Sequence, residues 1–289
     1  MVQRATVTHF LDEPPPICKQ PKSELVLSFL GFGQATRIIL NNISNDWDKT
    51  IAKAHFWSLD RMEDFDDDCF LGSHFCADIF FIVVNVLDGE LIGIIDSLAE
   101  HLAKQDKLVL LVFSSGTSKL LPVEPRSSRF ALLLEKISSY AVFEHREFLS
   151  KIFVSEAICL TAAGMLWPIS GEPLINLDIR DIKSLLTNGR RFHVGVGNAS
   201  GFNCVPAAIS AAIKWPLTKC NPKEAKGALI FVTVNFHVSL GAFTDAIKSI
   251  SDENLSQDLD LAFGLNIVVS SGMRNAEAVF IAAFDENVT

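Results

Sequence analysis

Short, unbroken apolar runs separated by stretches of helical period constrain this chain most. Residues 25–30 (Leu-Val-Leu-Ser-Phe-Leu), 79–84 (Ile-Phe-Phe-Ile-Val-Val) and 108–113 (Leu-Val-Leu-Leu-Val-Phe) offer almost no polar side chain on either face of a strand. A strand apolar on both faces has to be covered on both faces. Between these runs, residues 34–43 and 90–104 carry the spacing of amphipathic helices. Alternating buried strands and helices predict an α/β fold with a parallel sheet between helical layers. The first run ends in Gly31-Phe32-Gly33, which reads as strand, glycine turn, helix.

The rest of the chain is organised differently. Residues 1–23 contain Pro14-Pro15-Pro16 and read as an extended arm. Helices are expected at 130–139 and at 147–166. The second is long, mostly apolar, and expected to stop at Trp167-Pro168. Its composition suits burial between two lobes. The second half reads as helix 178–186, strand 192–197, helix 205–213, strand 228–234, helix 241–250 and strands 260–269 and 276–284, a mixed sheet in a lobe of its own. The expected divisions are 1–23 (arm), 24–145 (first lobe), 146–172 (central helix and linker) and 173–289 (second lobe).

Composition narrows the function. Hydrophobic residues make up 49% of the 289, enough for a sizeable core. The formal charge of −9 opposes binding to a phosphate backbone, so no nucleic-acid partner is expected. The six cysteines form no C-x-x-C pair and mostly sit in apolar runs, as buried thiols of a reducing compartment do. No leader peptide is expected. The longest apolar stretch, 79–87, is broken by Asn85 and falls far short of the ~20 residues of a membrane span. A cytoplasmic location is the expectation.

Candidate chemistry is sparse. Gly31-Phe32-Gly33-Gln34-Ala35-Thr36 stands where a dinucleotide loop would stand, with Thr36 in place of the third glycine. Residues 60–68 hold six acids against Arg61. They could chelate a divalent ion, but no frame is completed and a solvated acidic loop is expected, so no metal site is assigned. No nucleophile elbow or histidine pair at ligand spacing is present.

A specific pattern begins at residue 175. Ile175-Asn176-Leu177-Asp178-Ile179-Arg180-Asp181-Ile182 precedes a helix. Gly195-Val196-Gly197-Asn198-Ala199-Ser200-Gly201, Trp215-Pro216-Leu217 and Ala225-Lys226-Gly227-Ala228-Leu229-Ile230-Phe231-Val232 follow in order. This series resembles the tubulin/FtsZ family, and within it the bacterial FtsZ branch, strongly over 173–285 and mainly in pattern over 24–150. The resemblance implies a Rossmann-like parallel-sheet amino-terminal lobe, a long central helix and a mixed α/β carboxy-terminal lobe. It also implies GTP bound by the first lobe and subunits stacked head to tail, each completing its neighbour's nucleotide site with a synergy loop. Asn176, Asp178 and Asp181 stand at the positions of that loop. Asp178 is equally a helix N-cap candidate.

The nucleotide side departs from the family. Its G-G-G-T-G-T-G loop corresponds to Leu87-Asp88-Gly89-Glu90-Leu91-Ile92-Gly93, where both threonines are gone and two carboxylates stand. The first glycine loop keeps Gly31 and Gly33, with Arg37 the one residue suited to an anion. At the guanine end Glu156 keeps the family's carboxylate, but Ser155 replaces an asparagine. Missing glycines prevent close approach of backbone N–H groups, and Asp88 and Glu90 oppose the positive end of a helix. The expectation is therefore an FtsZ-like pseudo-GTPase with no bound cofactor, serving cell division or the cytoskeleton as a structural or regulatory protein. Its expected partner is FtsZ, an FtsZ-like protein or itself, with capping or modulation of filaments through the synergy-type loop. Two alternatives stay open: nucleotide-independent self-assembly into filaments or dimers, and a divergent GTPase using Glu156 for guanine and Arg37 for phosphate.

Overall fold

The three apolar runs form adjacent strands at the heart of one large sheet. The structure is a computed structural model. It describes residues 25–32, 34–47, 52–59, 77–84, 89–115, 133, 136–144, 151–170, 174–175, 177–189, 191–214, 221–256, 259–268 and 272–285. In chain order the elements are β1 (Val26–Phe32), α1 (Gln34–Asp46), β2 (Lys53–Leu59), β3 (Ile79–Val84), α2 (Gly89–Lys104), β4 (Leu108–Ser115), β5 (Ser139–Glu144), α3 (Lys151–Ser170), α4 (Ile179–Asn188), β6 (Arg191–Ser200), α5 (Cys204–Lys214), β7 (Gly227–Val234), α6 (Leu240–Asn254), β8 (Asp260–Ile267) and β9 (Asn275–Phe284).

The strands lie in the order β2-β1-β3-β4-β5-β6-β9-β7-β8. The first five are parallel. β9 runs antiparallel between β6 and β7, and β8 is parallel to β7. The two halves meet edge to edge through one register pair, Tyr140 with Arg191. As expected from sequence, the mixed strands all belong to the second half; the single pair at Tyr140 and Arg191 links them to the parallel half in one strand order.

Every residue of β3 is fully buried, as its composition demands. On one face, Ile39, Leu40 and Ile43 of α1, the buried stripe of α3 from Val154 to Leu166, and Ile182, Leu185 and Leu186 of α4 form a single core that spans both halves of the sheet. On the other face α2 covers the first half and α5 and α6 cover the second. The central helix α3 thus crosses from one half to the other. Burial of Val154, Ile158, Met165 and Leu166 explains why it is apolar around much of its circumference.

Three sequence expectations need correction. α3 does not stop at Trp167-Pro168 but continues to Ser170. A proline near a helix end costs one backbone hydrogen bond, here the one to Gly164, and the packing of the preceding turns outweighs it. The expected helix at 130–139 ends early. The Ser138 N–H donates to the Val109 carbonyl at 2.9 Å and its hydroxyl accepts from the Val109 N–H at 3.1 Å, so the chain already leans on β4 before β5 begins at Ser139. The strands 53–59 and 139–144 were not delimited from sequence. Residues 1–24, 60–76 and 116–132, which include the arm and the acidic run, lie outside the described residues.

Candidate functional site

The nucleotide-side candidates gather where β1 and β3 hand over to α1 and α2. β1 ends at Phe32 and α1 begins at Gln34; Gly33 between them lies outside the described residues. Gly31 is closely overlain. A carbon added at its Cα would come within 2.6 Å of Leu40 Cδ1 and 2.9 Å of the Thr36 hydroxyl. Thr36 is fully buried. The glycine at this turn therefore admits side chains of α1. Arg37, one residue on, is exposed.

At the second turn Asp88 lies outside the described residues, and Gly89 and Glu90 are the first residues of α2. Gly93 is exposed, with open space where its side chain would be, so packing does not require a glycine there.

Glu156 sits half-buried in the second turn of α3. Burial raises its proton affinity, and the Asp46 carboxylate at the last position of α1 raises it further. Among the described residues no cation pairs with either acid. Asp46 also stands at the negative end of its own helix, where a carboxylate is unfavourable. Cys159, one turn further, has its thiol pushed up to about 12, first by burial and then by Asp46 and Glu156. No group of three metal-binding side chains occurs among the described residues.

The synergy-type residues follow α3, whose last residue, Ser170, lies roughly 21 Å from Glu156 along the helix axis at 1.5 Å per residue. Leu174 and Ile175 bind Leu265 of β8 through their backbones, which pins the segment to the edge strand. Asn176 lies outside the described residues. Asp178 is the N-cap of α4. Its carboxylate accepts the Arg180 N–H at 2.9 Å, and the Asp181 carboxylate accepts the Asp178 N–H at 2.9 Å, a capping box. The Arg180 guanidinium lies on the other Asp178 oxygen at 2.8 Å and 3.1 Å, which holds that carboxyl below its ordinary range. Both acids are brought together and both remain accessible, but each is already engaged.

Sequence reasoning missed Asp46, Thr36 as a filler over Gly31, and Arg180 as the partner of Asp178. Only the last had a local signal, a cation two residues after the cap.

Comparison with known proteins gives a consistent outcome. No family model matches the chain. Over 111 residues it is 31% identical to the cell division protein FtsZ of Pseudomonas aeruginosa, a match spanning 38% of this chain and 27% of that protein. A mutant FtsZ from M. jannaschii superposes with a TM-score of 0.66 at 16% identity, over 91% of this chain and 92% of that one. CetZ2 of Haloferax volcanii, solved as a GTPγS-bound protofilament, superposes at 0.63 and 14% identity over 91% and 94%. The mixed nine-stranded sheet, the helix crossing both halves and these likenesses together show that the chain has the tubulin/FtsZ-like fold.

Proposed function

We propose that this protein is an FtsZ-like assembly factor of the cell-division or cytoskeletal machinery that does not turn over GTP. The observation that carries the reading is the overlay of Gly31 by Thr36 and Leu40. A phosphate at such a turn is held by backbone N–H groups at a helix start, and side chains packed over the strand end leave less room for it. The Glu156–Asp46 pair supports the same reading. Guanine presents N–H donors, which an ionised carboxylate accepts best. A carboxyl biased toward its protonated form, beside a second acid, is a poor acceptor.

Self-association is the activity such a fold retains without nucleotide. An FtsZ of M. jannaschii, of the same fold, was solved as an empty dimer. Asp178 and Asp181 cap their own helix and hold Arg180, so at a partner surface they dock rather than orient a water. The deciding experiment is calorimetric titration with GTP and Mg²⁺, joined to sedimentation with and without GTP. The expected result is no binding tighter than about 1 mM and nucleotide-independent association. Tighter binding would overturn the reading in favour of a divergent GTPase using Glu156 and Arg37.

A second reading is favoured by the accessibility of Asp178, whose side chain is 44% exposed. Presented to the nucleotide face of an authentic FtsZ, this end would cap or modulate its filaments. Pelleting of FtsZ with wild type and Asp178→Ala tests it, and unchanged polymer mass and turnover with both would sink it.

A further inference from the structure

Three strand ends converge on one exposed arginine. Arg274 precedes β9, Phe236 follows β7, and Phe202 follows β6. The Arg274 guanidinium carbon lies 5.2 Å from the centre of the Phe202 ring and 5.0 Å from that of Phe236. Both are cation–π distances.

The backbone around Arg274 is held from both sides. The Asn235 side chain donates to the Met273 carbonyl at 2.9 Å and accepts the Asn275 N–H at 2.7 Å. The Gly201 N–H donates to the Arg274 carbonyl at 2.8 Å, and the Ser200 hydroxyl donates to the Asn275 side chain at 3.3 Å. This frame fixes where the guanidinium points from, and the two rings fix the rest.

The surface is also unusually apolar. Phe202 is 89% exposed and Met273 is 73% exposed, the two most exposed large apolar side chains among the described residues. A largely exposed phenylalanine and methionine around a stacked arginine have the composition of an interface hot spot. Among the described residues no carboxylate pairs with Arg274. Ring contacts leave the in-plane N–H fork of a guanidinium available, and its preferred ligand is a carboxylate.

We infer that the Phe202–Phe236–Arg274 cluster is a docking clamp for the acidic run 60–68 of a second copy of this chain. Charge selects the occupant. The run holds Asp60, Glu63, Asp64, Asp66, Asp67 and Asp68 against one Arg61, with Met62 and Phe65 between them to meet the phenyl rings. Distance selects a second copy. β2, which leads into the run, stands six strand positions from β9 in the sheet order, or roughly 29 Å at ~4.8 Å per step. The stretch 60–76 has to return to Ala77 beside β3. With about eight residues out and eight back it would need to be almost fully stretched to reach its own Arg274. The inference deepens the assembly reading and rests on it only for the claim that copies associate.

Sedimentation velocity of the full chain at low and high salt tests the clamp. Because Arg274 and Phe202 are exposed, Arg274→Glu and Phe202→Ser are expected to fold. Each should weaken self-association at least about 30-fold, the scale of a hot-spot residue. Reversing Asp64, Asp66 and Asp67 to lysine should weaken it similarly. Mixing that variant with Arg274→Glu should restore association, and high salt should weaken the wild-type contact. Wild-type association that persists in Arg274→Glu overturns the clamp and leaves the assembly reading standing. Loss in Arg274→Glu with no effect of the lysine reversals overturns the acidic run as occupant. A wild-type chain that stays monomeric at high concentration overturns both clamp and assembly.

Discussion

The Asp181 carboxylate accepts the backbone N–H of Asp178 at 2.9 Å, while Asp178 caps the same helix with its own carboxylate. The residues that the family resemblance marks for work on a neighbour's nucleotide are therefore also the start of α4. Asp178→Ala should lower the melting temperature by about 2–4 °C, the usual consequence of losing an N-cap in a chain of this size. Arg180 holds the folded-state carboxyl below its ordinary value. The stabilisation is thus present above the unfolded value, near 4, and lost as pH falls through the depressed folded value. Melts of wild type and Asp178→Ala should differ at pH 7 and converge in acid.

Gly195 and Gly93 should respond oppositely to alanine. A carbon added at Gly195 would stand 1.8 Å from the Ala212 carbonyl oxygen of α5, and one at Gly197 would stand 2.1 Å from that of Ala208. Backbone cannot give way as a side chain can, so Gly195→Ala should cost about 3 kcal/mol or more. Gly93 stands in open space within α2, and Gly93→Ala should stabilise by about 0.5–1 kcal/mol. Urea unfolding of both variants reads the contrast. A destabilised Gly93→Ala would contradict the open space at this position of α2.

Glu277 lies in β9 opposite Asn198 and Thr233, neither of which can carry a charge, and burial raises its carboxyl. The protonated form is favoured in the folded state. Its stabilisation is full below the unfolded value, near 4.3, and lost as pH rises through the raised folded value. Glu277→Gln should raise the melting temperature at pH 7.5 and leave it nearly unchanged at pH 4. An equal effect at both pH values would contradict the account.

Cys159 should be almost inert in the folded chain. With its thiol pushed up to about 12, the reactive thiolate is scarce at pH 8. Labelling by a maleimide should follow unfolding rather than reagent concentration. Glu156→Gln and Asp46→Asn should each accelerate it only modestly, because burial is the larger cause.

Much of the sheet was legible from local composition. The run 79–84 became β3 with the bounds its residues suggested, and the spacing of 90–104 became α2 within one residue. β5 was not legible. Ser139–Glu144 is short and follows a stretch of helical spacing, and pairing to β4 decides its state. The end of α3 was misplaced because proline is a strong local signal, overridden by packing on both halves of the sheet. At the candidate site, the residue types at 87–93 and the acids at 178 and 181 were visible in the chain. The packing of Thr36 and Leu40 against Gly31 was not, because it depends on the angle at which α1 meets β1.

The amino-acid sequence by itself determined the layering: strands without a polar face must lie between helices, and that requirement is written in each run separately. Tertiary structure alone decided which charges meet. Asp46 and Glu156 are 110 positions apart in the chain and share one environment because α1 packs on α3. Phe202, Phe236 and Arg274 come from three separate connections and meet because β6, β9 and β7 lie side by side. Periodicity reports which face of an element is buried. It carries no record of which distant element will cover that face, and the electrostatics of this molecule are set by that choice.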